Sequence, residues 1–370
     1  MRNPNPRSGL TWIRNRFHGS AEGSVRFSPA GIHGLRLKTK ASTAEGILKF
    51  ARFRRLADLP PPLRGKTGWP WTTESGPTAE RLPNGVCWPR ISIVTPSYNQ
   101  GQFIEETIRS VLLQGYPNLQ YIVMDGGSKD DTVDILRKYH HAIDFWTSEP
   151  DKGQAHAINK GFMRANGDIL AWLNSDDVYE MGVLAQAAEF FQQQPGIDVV
   201  SGRCLLWHGD SRNRLIDPSP LRTLEDFLKI KTNWTSGRLI IQPETFFRSK
   251  AFEMAQGIRE ELIFCFDVCL WMDMAKMGCT FHSIDQHWAN LRIHKSQKIS
   301  DVTGTLHELV RLAWDKVHEN WHKLEEPLAI TDEIFRVMEE MFTNERNVSI
   351  TLRRSTSYRA GRLLTKMKVW

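Results

Sequence analysis

No run of uncharged apolar residues in this 370-residue chain approaches the roughly 18 to 20 that a membrane-crossing helix needs. The expectation is a soluble or peripheral protein. The N-terminus is rich in Arg and Pro and lacks the apolar core of a secretory leader, which predicts a cytoplasmic location. Cysteine is sparse: Cys87, Cys204, Cys265, Cys269 and Cys279 are odd in number and contain no Cys-x-x-Cys pair, so reduced, packed thiols are expected in place of disulfides or zinc. There is no internal repeat. With 41% hydrophobic residues the chain has enough apolar material for one large core or two modest ones.

Acidic residues are scarce at both ends. Residues 1–66 hold fourteen Lys/Arg against three Asp/Glu, and from Arg346 onward there are seven basic residues and no acidic one. The net charge of +6 therefore belongs to the termini, and the chain between them is mildly acidic. Two readings stand side by side. One is a pair of solvated tails. The other is peripheral contact with anionic lipid, at the inner face of a membrane, through residues Ile47 to Leu56 and through a tail whose Leu352, Leu363, Leu364, Met367, Val369 and Trp370 interrupt its charges. The basic segments contain no recognisable nucleic-acid-binding module, so nucleic acid is not an expected partner.

Along the chain, residues 1–89 read as a basic N-terminal arm followed by a Pro- and Gly-rich connector that begins at Pro60-Pro61-Pro62. Strand and helix patterns then alternate. Strands are expected at Ile91–Thr95, Leu119–Asp125, Ile143–Thr147 and Ile169–Leu173, and helices at Phe103–Gln114, Asp131–Tyr139 and Gln154–Ala165. Such alternation predicts right-handed crossovers and an α/β domain with a mostly parallel sheet, spanning 90–300. Beyond Asp177 come a helix at Val183–Gln194 and a strand at Asp198–Leu206, after which the pattern loosens. Helices at Thr223–Lys231 and Phe266–Met277, a strand at Thr280–Ile284 and an amphipathic helix at Leu306–Trp321 complete the expectation, with 301–370 a helical extension and basic tail.

Three strands end in potential ligand groups. Leu170-Ala171-Trp172-Leu173 runs into Asn174-Ser175-Asp176-Asp177, Ile91-Ser92-Ile93-Val94 runs into Thr95-Pro96-Ser97-Tyr98-Asn99, and Tyr121-Ile122-Val123-Met124 runs into Asp125-Gly126-Gly127-Ser128. In open parallel sheets ligands sit beyond the carboxyl ends of the strands, where these groups fall. A carboxylate pair after a strand is also a common solvated turn, and only its company favours a ligand.

These stretches, together with Ser148-Glu149-Pro150-Asp151-Lys152-Gly153-Gln154 and Ala157-Ile158-Asn159-Lys160-Gly161, resemble family 2 glycosyltransferases over roughly Arg90 to Ser300. The resemblance implies a GT-A fold, with a Rossmann-like central sheet flanked by helices, and transfer of a sugar from a nucleotide donor to a glycan or lipid-linked glycan acceptor. It also implies roles. Thr95, Pro96, Ser97 and Tyr98 line the nucleoside pocket, and Asp125 aligns with a carboxylate that bonds the base, which suits the imide N–H of uracil or thymine. Independently of the resemblance, Lys152 precedes Gly153 and a helix start, which suits contact with donor phosphate; a plain surface lysine is the other reading. Asn174-Ser175-Asp176 stands at the family's Asp-x-Asp motif, so that Asp176, with Asp177 beside it and His294 downstream, is expected to hold a divalent cation, Mn²⁺ or Mg²⁺. Gln242 and Glu244 fall on the acceptor side.

Departures from the family pattern are Asn174 for its first Asp, Gly126 for an Asp often found there, Ile158 for an Arg, Cys269 for an acid and His156 for an Asp. Asp267 aligns with the catalytic base. Independently, it is the one carboxylate in the apolar stretch Phe264-Cys265-Phe266-Asp267-Val268-Cys269, where burial would raise its pKa toward a useful value; a helix N-cap is the other reading. The expected function is an inverting, metal-dependent transfer by single displacement, with UDP as the leaving nucleotide. A non-catalytic nucleotide-sugar-binding module and a sugar-nucleotidyltransferase are the rival readings, the latter disfavoured because Pro96-Ser97-Tyr98-Asn99 is no Gly-rich, Arg-containing phosphate loop.

Overall fold

The computed structural model describes residues 54–354, apart from Pro83, 210–212, Thr235 and Ser296. Residues 1–53 and 355–370 lie outside it, and with them most of both basic termini. The first half alternates as β1 (Ile91–Ser97), α1 (Ile104–Leu112), β2 (Leu119–Asp125), α2 (Thr132–Lys138), β3 (Phe145–Ser148), α3 (Gln154–Phe162) and β4 (Ile169–Trp172). These are the expected elements, with ends displaced by a turn or less. The second half contains β5 (Val178–Tyr179), α4 (Val183–Gln193), β6 (Val199–Trp207), β7 (Arg214–Leu215), α5 (Leu224–Leu228), β8 (Thr245–Arg248), α6 (Ser249–Met254), α7 (Phe266–Lys276), β9 (Phe281–Arg292), α8 (Val302–Asn320) and α9 (Pro327–Arg354).

Among the described residues the strands form one nine-stranded sheet in the order β3-β2-β1-β4-β8-β6-β9-β5, with β7 added to β6. The segment β3-β2-β1-β4 is parallel. Every residue of β1 and β4 is buried, as expected of strands covered by helices on both faces, and this explains why Ile91, Ile93 and Val94 predominate before the polar end of β1 and why β4 is wholly apolar. Ser97 pairs with Asp125, and Asp125 with Ser148, so three strand ends lie level along one edge. Beyond β4 the sheet is mixed: β8 runs antiparallel to both β4 and β6, β9 parallel to β6, and β5 antiparallel to β9. This is the GT-A architecture, with the parallel half holding the strand ends and the mixed half closing the other side.

Strand β9 continues eight residues past the expected Ile284, to Arg292. The polar run Asp285-Gln286-His287 conceals the strand in the sequence, and here it coincides with register shifts against Ser201, Arg203 and Cys204. β8 was concealed by brevity. All five cysteines are free, and only Cys87 is exposed. No helix among the described residues is long and apolar enough to cross a membrane.

The Pro- and Gly-rich connector is fastened to the domain. Arg109 on α1 is fully buried and donates to the carbonyls of Pro60 at 2.9 Å, Pro70 at 3.0 Å and Trp71 at 2.9 Å, and to the Tyr139 hydroxyl at 2.9 Å. A buried guanidinium costs too much to leave unsatisfied, so these bonds fix the strap together with its buried indoles, Trp71 and Trp88.

Helix α3 lies against β1 at Gly161, where an added Cβ would come within 2.4 Å of Val94 Cγ1. Helix propensity alone would favour Ala over Gly by up to about 1 kcal/mol, but overpacking a core typically costs 1 to 3 kcal/mol. Val94 is a β-branched residue on a central strand and has no room to retreat. Gly161→Ala is therefore expected to destabilise the fold by about 1 to 2 kcal/mol, read as a lower urea midpoint with unchanged slope; an unchanged or higher midpoint would show that β1 and α3 have slack.

Candidate donor and catalytic site

The level strand ends open onto a cavity of about 940 Å³. Pro96, Ser97, Tyr98 and Gly126 line it from β1 and β2, Asp151, Gly153 and Gln154 from the entry to α3, and Asn174–Asp177 from the end of β4. Gln242 and the residues Phe264–Val268 close the opposite side. A buried aromatic cluster couples the two sides: Trp172, the last residue of β4, stacks on Trp271 of α7 with ring centroids 5.7 Å apart and planes at 21°. The strand that ends in Asp176 and the helix that begins with Asp267 are thus held by one core.

Asp176 presents its carboxylate to the imidazole of His294, with Oδ2 and Nε2 2.9 Å apart, and the two side chains are 14% and 15% exposed. The Phe103 ring packs on the imidazole at 4.7 Å. The Asp176 carbonyl accepts from Arg292 Nε at 2.9 Å, and Arg292 is in turn paired with Glu106 at 2.9 Å. Asp176 and His294 are brought together as expected. Asp177 is different. Its carboxyl is completely buried, accepts from the Arg292 backbone N–H at 3.0 Å and from Asn174 Nδ2 at 3.3 Å, and is pushed well above the usual carboxylate range by burial and by the neighbouring Asp176 charge. The expected metal role of Asp177 does not suit this placement. It ties the motif to β9.

The same bonds account for Asn174. An aspartate there would set two carboxylates within about 3 Å of each other, whereas the amide donates to Asp177 and to Gln242 Oε1 at 3.1 Å and accepts from Gln154 Nε2 at 2.8 Å. Gln242 passes the chain on by donating to the Trp172 carbonyl at 2.6 Å. It lines the cavity, but its amide is engaged with the motif. Glu244, expected on the acceptor side, is 1% exposed and absent from the cavity wall. One of its carboxyl oxygens caps the Ile241 N–H at 3.0 Å, and burial raises its pKa well above the usual range.

Thr95 also stands behind the wall, fully buried, its hydroxyl accepting from Tyr121 at 3.1 Å. Asp125 is 2% exposed and does not line the cavity. Its carboxylate accepts from the N–H groups of Gly127 at 3.1 Å and Ser128 at 2.9 Å and from the hydroxyls of Ser128 at 2.5 Å and Ser148 at 2.6 Å. Oδ2 takes three of these donors and Oδ1 one, so the carboxylate builds the turn at the end of β2 and stands behind the cavity wall, away from the expected contact with the base. Lys152 is exposed beside the cavity, its N–H facing His156 Nδ1 at 3.4 Å. That contact is the physical use the structure gives to His156.

Asp267 lines the cavity in the first turn of α7. Its Oδ1 accepts from the Val268 N–H at 2.8 Å, and its pKa is pushed up to about 6, by burial first and by the charge of Glu308 in addition. The sequence did not single out Glu308. From α8 it accepts the N–H groups of Ile263 at 2.8 Å, Phe264 at 2.6 Å and Cys265 at 2.6 Å, fastening the segment immediately before Asp267. The C-terminal extension therefore buttresses the catalytic candidate.

Residues 92–254 match glycosyl transferase family 2. TuaG of Bacillus subtilis, a putative teichuronic acid biosynthesis glycosyltransferase, is 30% identical over 210 residues, covering 55% of this chain and 79% of that protein. An uncharacterized glycosyltransferase of Mycobacterium tuberculosis is 40% identical over 103 residues, 27% of this chain and 39% of its relative. A crystal structure of S. aureus TarS 1-349 in complex with UDP-GlcNAc has the same fold, with a TM-score of 0.54 at 18% identity over 73% of this chain and 77% of that one.

Proposed function

The chain belongs to glycosyl transferase family 2 and is a glycosyltransferase, and from that premise we propose that it transfers a sugar from a UDP-sugar with inversion, by single displacement, to a glycan or lipid-linked glycan acceptor. The observation that carries this reading is the presence, in one cavity, of a carboxylate with a pKa of about 6 and of Asp176, which follows the strand coupled to it by the aromatic core and pairs with His294. A base poised near neutrality takes a hydroxyl proton without being permanently protonated. In the transfer, Asp267 accepts the proton of the acceptor hydroxyl, the oxygen forms its bond to the anomeric carbon, and the bond from that carbon to the diphosphate breaks on the opposite face. The electron pair leaves with the nucleotide.

Negative charge grows on the leaving diphosphate. Among the described residues no three His, Cys, Asp or Glu side chains gather around one point. Asp176 and His294 supply one oxygen and one nitrogen ligand, a set that fits a divalent cation completing its shell with phosphate and water. When bound there, Mg²⁺ or Mn²⁺ would offset the charge of the departing diphosphate. Pro96, Ser97 and Tyr98 form the nucleoside side, and Lys152 stands near enough to the α3 entry to meet phosphate. The B. subtilis relative's naming as a putative teichuronic acid biosynthesis glycosyltransferase supports a glycan acceptor. A cytoplasmic enzyme working beside the membrane would draw on the basic ends, most of which lie outside the described residues.

Thermal-shift titration of nucleotide sugars, with and without Mn²⁺, tests the donor reading. A specific ligand at a hundredfold its dissociation constant adds about 2.7 kcal/mol of stability. A UDP-sugar is expected to raise the melting temperature, and Mn²⁺ to enlarge the rise. If no nucleotide sugar shifts the melt under either condition, the donor reading falls.

A further inference from the structure

Two roles compete for Asp267, a catalytic base and a cap on the start of α7, and the bonds around that helix start divide them between two carboxylates. The first N–H groups of a helix have no partner within it and attract an anion. The Cys265 side chain makes no cap bond. Glu308 of α8 supplies the carboxylate: Oε1 accepts the Ile263 N–H at 2.8 Å, and Oε2 accepts those of Phe264 and Cys265, both at 2.6 Å. Three successive N–H groups turned toward one point form an anion cradle, and a side chain 43 to 45 residues downstream fills it. Asp267 is thereby spared the capping. Its Oδ1 accepts the Val268 N–H at 2.8 Å, and among the described residues its Oδ2 receives no hydrogen bond from the protein.

The register of α8 is fixed on both sides of Glu308, so its carboxylate has little freedom to withdraw. In the first turn Gly304 passes Phe264 so closely that an added Cβ would lie 2.9 Å from Cε2, and the Cys265 thiol donates to the Thr305 carbonyl at 3.5 Å. Gly304, Thr305 and Glu308 share one face of the helix. Farther along, the fully buried Lys316 pairs with Asp273 of α7, and Glu319 with Lys276 at 3.3 Å. Among the described residues the titratable groups around this helix start are Glu308 from α8, the Cys265 and Cys269 thiols, and Lys298, whose Nζ lies 6.0 Å from the centroid of the Phe266 ring. Asp151 and Asp176 line the same cavity.

Resting on the reading of Asp267 as the base, we propose that Glu308 is the positioning residue of the transfer: its carboxylate holds residues 263–265 and takes over the capping of α7, leaving Asp267 Oδ2 for the acceptor hydroxyl. The same charge acts on the base. A like charge nearby disfavours ionisation, and Glu308 adds to burial in pushing the Asp267 pKa up to about 6. Removing that charge therefore moves the ionisation of Asp267 to lower pH. Position and charge can be separated, because Gln keeps the shape of Glu308 without its charge and Asp keeps the charge but gives up its reach.

The test follows Asp267 in the full chain by carbon NMR of aspartate labelled at the side-chain carboxyl, its signal identified by its absence from Asp267→Asn. The wild type should titrate near 6. Glu308→Gln should titrate lower, and its amide exchange at 263–265 should quicken by roughly tenfold or more, as a hydrogen bond to a charged group is lost. UDP release from UDP-glucose, with water as the acceptor, should fall by roughly tenfold or more while UDP binds within a few-fold. Glu308→Asp should quicken exchange and slow UDP release likewise but titrate closer to the wild type, which loosening of the helix start alone would not produce. Should Glu308→Gln fail to fold, the Asp variant still has to show both kinetic changes. Unchanged titration, exchange and UDP release in a folded Glu308→Gln protein overturn the proposal and leave the base reading intact, and equal titration of the two variants overturns it by reducing Glu308 to packing. A wild-type Asp267 that titrates near 4, as an ordinary carboxyl does, overturns the base reading and the proposal together.

Discussion

Replacing Asp267 by Asn lowers turnover by roughly 10² to 10⁴ while leaving UDP affinity within a few-fold, the signature of a lost general base. The substitution keeps shape, and its side-chain oxygen can still accept the Val268 N–H that now bonds Oδ1 at 2.8 Å. The proton acceptor alone is removed. In the wild type, kcat/KM should rise with pH through about 6, where Asp267 ionises, because only the carboxylate form accepts a proton; in the variant this limb disappears. The stability argument runs the opposite way. A carboxyl whose folded pKa is raised by burial contributes stability below its unfolded value near 4 and loses it as pH rises through about 6. At pH 7.5 the ionised group is therefore a burden on the fold, and the neutral Asn variant should melt no lower than the wild type. A melting temperature that drops, with nucleotide binding lost, would instead assign Asp267 to capping α7.

How far the site could be read from sequence depends on the range of the interaction involved. The strand ends at Pro96–Tyr98 and Asn174–Asp177 were legible because a buried parallel strand writes itself as a continuous apolar run, and the polar residues that end it mark the ligand edge. Asp267 was legible for a related reason, as a lone acid in an apolar stretch. The partners that decide what each acid can do were not. Asp125 is filled in part by Ser148 on the neighbouring strand, Asp177 by Arg292 at the end of β9, and the segment before Asp267 by Glu308 on α8. None of these pairings has a local period or motif, and each turns on a hydrogen bond made only when distant strands come into register. Glu244 was placed on the acceptor side by resemblance alone, but β8 carries the adjoining residues into the core. The Asn at position 174 could be read only as a departure until its amide was seen donating to Asp177.

The contrast between Asp176 and Asp177 yields the second large effect. Asp176→Asn should abolish the gain in UDP affinity that Mn²⁺ confers and remove most turnover, because a neutral amide is a poor oxygen ligand for a hard cation and leaves the charge of the departing diphosphate uncompensated. The binding readout is titration of UDP in Mn²⁺ and in EDTA. In the wild type the two affinities should differ, and in the variant they should coincide at the metal-free value. Asp177→Asn is the counterpart, since its carboxyl is enclosed, bonded to Arg292 N–H and Asn174, and has its pKa raised by burial. It should alter the melting temperature and retain a difference between Mn²⁺ and EDTA. His294 sits against Asp176 at 2.9 Å, so any weak residual Mn²⁺ response of the Asp176 variant would come from the imidazole nitrogen. Should Asp176→Asn keep the full Mn²⁺ effect while Asp177→Asn loses it, the buried carboxylate must turn outward on loading, and the ligand assignment passes to Asp177.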